Sequence, residues 1–378
     1  MTHRDGAIMS FSFEVTATDG AARTGRITTP RGTVRTPCFM PVGTRAVVQT
    51  LAAYEVADLG AEVVLGNTYH LMLRPGSDLI RERGGIHRFM GWDGHVLTDS
   101  GGYQVFSLEP ELDENGATFR STYDGSTHVL TPEGAVAIQT DLGADIQMVL
   151  DVCPPLPSPD RVVRDAVALT GRWAERARTA FLDRPERGDG MRAQFGIVQG
   201  GLDVDLRLES AAHTVGIGFE GYAVGGLSVG EKRTEMLVPL TATCAALPVG
   251  APRYLMGVGD PASLVEGISV GVDMFDCVLP TRLARHGTAL TTEGRFNIKA
   301  SRFARDDGPL DPGFPESPAN RFSRSYLRHL EQVGEPLVKR ILTLHNLAFL
   351  LRIVDRARDA IVAGTTADLV EEVREVWG

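Results

Sequence analysis

Val272-Asp273-Met274-Phe275-Asp276-Cys277-Val278-Leu279-Pro280-Thr281-Arg282 reads as a buried strand that delivers one carboxylate, Asp276, into a site. Val270, Val272, Met274 and Phe275 are apolar and strand-prone, and Asp276 interrupts the run. Pro280 forbids a regular continuation of strand or helix. Arg282 and Arg285 follow, and Gly287 closes the turn. In such apolar company the Asp276 carboxyl is desolvated, which raises its proton affinity unless donors or cations hold it ionised. The two arginines are the nearest cations, and they suit a phosphate as well. From this stretch alone, an aspartate that caps a helix or pins a loop is as good a reading as a catalytic one.

The same pattern recurs upstream: a short apolar run stops at glycine or a polar residue, and a helix-like segment follows. The runs are Cys38-Phe39-Met40, Glu62-Val63-Val64-Leu65, Val96-Leu97-Thr98, Ile146-Gln147-Met148-Val149-Leu150, Phe195-Gly196-Ile197-Val198, Tyr222-Ala223-Val224 and Tyr254-Leu255-Met256. With Asp273-Met274-Phe275 they make eight strand–helix units, which predict an α/β fold, a parallel (β/α)8 TIM barrel. An open doubly wound sheet is the second choice, but it calls for a glycine-rich phosphate loop after the first strand, and none is present. In a barrel, the residues at strand C-termini meet in one mouth: Asp99, Asp151, Gln199, Gly226, Gly257 and Asp276. The helices Pro159 to Leu182 and Thr234 to Leu247 fit between strands, the first capped by Ser158 with Pro159 at its first position.

Around this core the sequence divides into an N-terminal β element (1–37), the barrel (38–290), a subdomain (291–345) and a C-terminal helical segment (346–378) that closes the barrel. Pro30-Arg31-Gly32 between Arg26-Ile27-Thr28 and Thr33-Val34-Arg35 predicts a hairpin. Residues 107–131 predict a strand–turn–strand excursion. Ser323 to His329 and Glu335 to Ala363 read as helices, the second amphipathic through Leu337, Ile341, Leu344, Leu347 and Leu351.

The 378 residues carry a net charge of −10, which counts against a general nucleic-acid binder. A local basic cluster nonetheless follows Asp276: Arg282, Arg285, Arg295, Lys299, Arg302 and Arg305, then Arg321, Arg324 and Arg328. Its position favours phosphate contacts over plain surface charge. No run is apolar and long enough to span a membrane, and Met1 to Ser10 lack the apolar core of a signal peptide. The four cysteines, Cys38, Cys153, Cys244 and Cys277, are too dispersed for a zinc knuckle or a disulfide framework, so a cytoplasmic protein with free thiols is expected.

An ordered set of motifs then resembles the tRNA-guanine transglycosylase (queuine tRNA-ribosyltransferase) family. The set is Gly66-Asn67-Thr68-Tyr69-His70-Leu71, Asp99-Ser100-Gly101-Gly102-Tyr103-Gln104-Val105-Phe106-Ser107, Gly196-Ile197-Val198-Gln199-Gly200-Gly201, Gly221 to Glu231, Tyr254 to Gly259 and Phe275 to Arg282. The likeness runs from about residue 11 to about residue 365. It implies a pentosyltransferase that exchanges guanine at the anticodon wobble position for a 7-deazaguanine, either 7-aminomethyl-7-deazaguanine or queuine. It further implies Asp276 as nucleophile and Asp99 as general base. Ser100, Gly101, Gly102, Asp151, Gln199, Gly226, Leu227 and Gly257 would surround the base, with Tyr103 and Met256 on its two faces. The anticodon stem-loop would meet Gly257, Val258, Gly259, Asp260, Thr281, Arg282, Leu283, Ala284 and Arg285. A homodimer is also implied. A non-catalytic tRNA-binding subunit is the alternative from another class, but such a subunit has no need of both Asp99 and Asp276. A relative that modifies DNA or a small nucleoside is the third.

The chain departs from the family pattern in three places. Phe314, Glu316 and Ala319 stand where the family carries zinc-binding cysteines, which leaves His345 alone, so no metal and no cofactor are expected. Val152 resembles the eukaryotic form while Val229 resembles the bacterial one. Gln49 replaces a usual lysine, which removes one cation that could meet a phosphate.

Overall fold

The structure, a computed structural model, describes residues 11–184 and 192–378; the polar segment 1–10 lies outside the described residues. An antiparallel sheet comes first, formed by β1 (Ser12–Asp19), β2 (Ala22–Thr29) and β3 (Gly32–Thr36). The expected hairpin is its β2–β3 half. The barrel then begins with β4 (Cys38–Gly43), β5 (Val63–Gly66) and β6 (His95–Thr98). An excursion of β7 (Glu111–Leu112), β8 (Ala117–Arg120) and β9 (Thr127–Leu130) interrupts it. It resumes with β10 (Ile146–Met148), β11 (Ala193–Val198), β12 (Gly221–Val224), β13 (Arg253–Leu255) and β14 (Met274–Cys277). Parallel pairing of β14 with β4, Phe275 opposite Phe39, closes the ring. The barrel strands from β4 to β13 are buried along their whole length, as parallel strands covered on both faces must be, which is why they read as short unbroken apolar runs.

The N-terminal sheet covers the end of the barrel opposite the strand C-termini. Arg23 of β2 forms a buried ion pair with Asp273, just before β14, at 2.5 Å. Thr29 bonds His95 at the start of β6 (2.8 Å), and Arg31 bonds Asp145, just before β10 (3.1 Å). These side chains fix which end of the barrel stays open.

Four local expectations change. Pro280 does not end regular structure; it sits in the first turn of a helix, Leu279–Arg285, where its missing N–H costs nothing. Ser158 is not the cap of the following helix, Asp160–Leu182: its hydroxyl donates to Pro155 O, and Pro159 occupies the cap. The helix Pro336–Ala363 runs unbroken through residues 345 and 346, where the sequence places a boundary. Its burial is also wider than one stripe, since it packs on β1, β2, β4, a hairpin of β15 (Thr288–Thr291) and β16 (Gly294–Asn297), and its helical neighbours. Leu337, counted in that stripe, is exposed, while its neighbour Val338 is fully buried.

Candidate active site at the open end of the barrel

Asp99 follows β6 and is held from three sides. Thr68 N–H and Gly101 N–H donate to Oδ1 at 2.8 and 3.1 Å, and Asn67 Nδ2 donates to Oδ2 at 2.6 Å. Asn67 can do this because it caps the helix Thr68–Leu73, its Oδ1 accepting from His70 N–H. Burial pushes the Asp99 carboxyl up to about 7; the backbone donors oppose this, and the charges of Asp276 and Asp151 add to it. Asp99 thus feels both other carboxylates of the mouth.

Asp276 lies within β14. Tyr254 O–H and Gly257 N–H both donate to its Oδ1, at 2.6 and 2.7 Å. Among the described residues its Oδ2 has no hydrogen-bond partner. Burial raises its proton affinity, and these two donors work against the rise. The expectation that arginines hold it ionised is replaced: Arg282 is exposed, and Arg285 donates to Gln49 Oε1 instead. Tyr254 was missed from sequence. Its signal was an aromatic hydroxyl one residue from the end of a buried strand beside β14, where a buried O–H needs an acceptor.

The purine-edge candidates meet on the loops after β10, β11 and β12. Gln199 Nε2 donates to Asp151 Oδ2 at 2.6 Å, and burial pushes Asp151 up to about 6 against that bond. Gly226 has φ +64°, and a Cβ there would lie 2.3 Å from Gln199 Oε1, so only glycine lets this backbone approach. Leu227 is buried beside it. Arg207 is a further residue the sequence did not flag. Fully buried, it donates to the carbonyls of Gly201, Gly225 and Gly226 at 2.6, 3.0 and 3.2 Å and so anchors the two glycine loops. Ser100 accepts from Gly102 N–H, and Gly101 caps the helix Gly102–Phe106 with φ +82°. Tyr103 on that helix is 63% exposed, while Met256 after β13 is half-buried against the core. Val152 is buried in the cluster that holds Trp173 and Leu150. Val229 donates its N–H to Glu231.

The expected RNA contacts are brought together only in part. Gly257 is exposed on the mouth, but Val258, Gly259, Thr281 and Ala284 are buried, and Leu283 packs against the core. Asp260 caps the helix Pro261–Ser269 by accepting from Ser263 N–H at 3.0 Å. From these two stretches the side chains that reach the rim are Arg282 and Arg285. The later cluster is partly structural: Arg324 pairs with Asp306 at 3.3 Å, Arg328 bonds the carbonyls of Lys299 and Ala300, and Lys299 pairs with Glu331.

The residues of the family's zinc segment do not fit a metal. His345 is fully buried with both ring nitrogens in use: Nε2–H donates to Leu290 O at 2.6 Å, and Nδ1 accepts from Ser317 O–H at 2.7 Å. Burial pushes this imidazole down to about 4, so it is neutral and can fill both roles. Phe314 packs 6.0 Å from it, Ala319 is buried and Glu316 is exposed. Among the described residues no group of three or more His, Cys, Asp or Glu is placed to hold a metal ion.

A family model described as queuine tRNA-ribosyltransferase matches residues 18–378. The chain is 52% identical to a queuine tRNA-ribosyltransferase of Desulforudis audaxviator over 368 residues, 96% of this chain and 98% of that one. It is 50% identical to proteins of the same name from Koribacter versatilis, over 97% of this chain and 98% of the relative, and from Symbiobacterium thermophilum, over 94% and 88%.

Proposed function

The chain belongs to the queuine tRNA-ribosyltransferase family, and from that premise we propose that Asp276 and Asp99 exchange the wobble guanine of a tRNA anticodon for a 7-deazaguanine through a covalent Asp276–ribose intermediate. The chain is a pentosyltransferase. In the first step Asp276 Oδ2 attacks C1′ of the ribose from the face opposite the base, and the C1′–N9 bond breaks. The bond's electron pair leaves with guanine, which takes a proton from Asp99. In the second step the incoming base gives its N9 proton to Asp99, N9 attacks C1′, and Asp276 leaves. Two inversions preserve the β-linkage, and the proton on Asp99 is restored. A group titrating at about 7 suits both directions, and such transfer contributes about 10²–10⁴ in rate.

The observation that carries this reading is the asymmetry of Asp276: one oxygen is held by two donors and the other is unpartnered, in a mouth whose Asp99 feels its charge. Asp151, Gln199, Gly226 and Leu227 supply the recognising edge, since a wrong base would leave these buried groups unpaired, a penalty that can reach about 10⁴ or more in selectivity. Tyr103 and Met256 supply the faces, and Ser100 to Gly102 with Gly257 shape the floor. Arg282 and Arg285 meet the anticodon-loop backbone. The incoming base is 7-aminomethyl-7-deazaguanine or queuine.

The C-terminal module works without zinc, its place taken by the Ser317–His345–Leu290 hydrogen bonds and by Phe314. All four cysteines are unpaired, the thiol state of the cytoplasm. No helix among the described residues is long and apolar enough to cross a membrane. The stacked pair Phe322–Tyr326, with Tyr326 exposed, offers apolar surface to a second copy in a homodimer.

The test is to incubate the protein with an anticodon stem-loop RNA and resolve the mixture under denaturing conditions. A covalent protein–RNA adduct that disappears in Asp276→Asn is expected, and added 7-deazaguanine should discharge it. An adduct that survives Asp276→Asn, or RNA binding with no adduct at any pH, would sink the proposal.

A further inference from the structure

Three side chains from the segments that follow β4, β5 and β6 meet at the open end of the barrel. Arg45 follows β4, Arg74 ends the helix Thr68–Leu73, and Tyr123 lies in the turn between β8 and β9. The guanidinium of Arg45 lies 5.6 Å from the centre of the Tyr123 ring and that of Arg74 lies 4.8 Å from it. The ring is itself fixed. Its hydroxyl bonds His70 Nδ1 at 2.9 Å, and the Tyr123 N–H donates to Ser121 Oγ. The neighbouring Thr122 bonds Tyr69 O–H at 3.1 Å. Burial and the nearby Arg45 hold His70 below its ordinary value.

Neither guanidinium has a carboxylate or carbonyl partner among the described residues. Some surface arginines are paired, as Arg35 is with Glu62 and Arg172 with Glu114, whereas Arg45 and Arg74 converge on one ring. A guanidinium held over an aromatic face is attracted by the ring and keeps N–H groups available to a ligand. Two like charges held against one ring repel, and an anion between them relieves that repulsion. A phosphodiester matches the free edges, and an aromatic ring beside them gives a neighbouring base a face to stack on.

The location narrows the ligand. Arg74 stands six residues along the helix from Thr68, whose N–H holds Asp99, or about 9 Å at an α-helical rise. The Arg285–Gln49 hydrogen bond joins the helix Leu279–Arg285 to the loop that carries Arg45, so the cationic side chains after β14, β4 and β5 line one continuous arc of the rim. We propose that Arg45, Arg74 and Tyr123 form a second RNA contact, a phosphate clamp for the strand next to the exchanged nucleotide. The clamp rests on the transglycosylase reading and adds a binding site to it. It gives this chain a phosphate grip on the loop where Gln49 has replaced a cation.

The test uses the full-length protein and an anticodon stem-loop RNA. For Arg45→Ala/Arg74→Ala, the KM for RNA should rise roughly tenfold, while kcat at saturating RNA and the KM for the free base stay as in the wild type. The slope of log affinity against log salt should flatten by about 0.7 for each phosphate no longer neutralised, measured between about 50 and 200 mM salt. Arg45→Lys/Arg74→Lys should restore the salt slope, because charge alone sets it, but only part of the affinity, because the stack is weakened. An unchanged RNA KM and salt slope in the alanine double variant would overturn the clamp and leave the transglycosylase reading standing. A wild-type protein that neither binds the RNA nor exchanges its base would overturn the reading beneath it.

Discussion

Asp276 and Asp99 both resist ionisation because they are buried, yet the proposed chemistry asks for opposite states of them at the same moment. In the proposed exchange, adduct formation needs Asp276 ionised and Asp99 protonated. The folded pKa of Asp99 is about 7, so its proton is present below that pH and lost above it. The single-turnover rate of adduct formation should therefore fall once the pH exceeds about 8, whereas discharge of the adduct by incoming base should speed up. An adduct rate that keeps climbing beyond that point excludes Asp99 as guanine's proton donor. Tyr254 belongs to the same scale. Tyr254→Phe removes one of two donors to Asp276 Oδ1, so the nucleophile should become harder to ionise and less well aimed. Hydrogen bonds to charged groups are worth about 1.5–3 kcal/mol, which corresponds to a loss of about 10- to 100-fold in adduct formation with the KM for the base unchanged. A loss confined to KM would show instead that Tyr254 serves base binding.

At the scale of elements, the helix Pro336–Ala363 ties distant segments together. Asn346 accepts from Leu290 N–H at 2.8 Å and donates to the carbonyls of Pro280 and Thr288, both at 3.0 Å. One buried amide thereby ties together this helix, the β15–β16 hairpin and the helix that presents Arg282 and Arg285. Asn346→Ala removes the partner of two buried backbone groups, Leu290 N–H and Pro280 O, and of the half-buried Thr288 O, and should cost about 2–4 kcal/mol, read from urea unfolding. A cost under about 0.5 kcal/mol would mean that water replaces the amide and that the tie is weak. Neighbouring His345 ties the same region through hydrogen bonds. A neutral imidazole between a hydroxyl and a carbonyl, packed on Phe314, joins the Ser317 loop and the β15 strand to this helix. The sequence betrayed the missing thiolates but not this substitute, because Ser317 and Leu290 O lie 28 and 55 residues from His345.

For the whole molecule, the proposed independence from a metal is directly measurable. Elemental analysis of the purified chain should find zinc far below one per chain, and a strong chelator should leave the melting temperature unmoved. A structural zinc is worth about 10–16 kcal/mol in small modules, so a chelator-sensitive melt would be unmistakable and would contradict the assignment. The barrel was legible in the chain because a parallel strand covered on both faces must be apolar along its length and must stop where its end meets solvent. That pattern, repeated eight times, places Asp99, Asp151, Gln199 and Asp276 at strand ends before any coordinate is known. Three-dimensional closure decided the rest. Which group holds Asp276, that Arg207 grips the glycine loops, that Val258 and Ala284 turn inward, and that Arg45 and Arg74 share one tyrosine all depend on contacts between distant segments. Periodicity records how a residue relates to its own strand or helix. It carries no record of which loop arrives opposite, and at a barrel mouth that arrival assigns the donors.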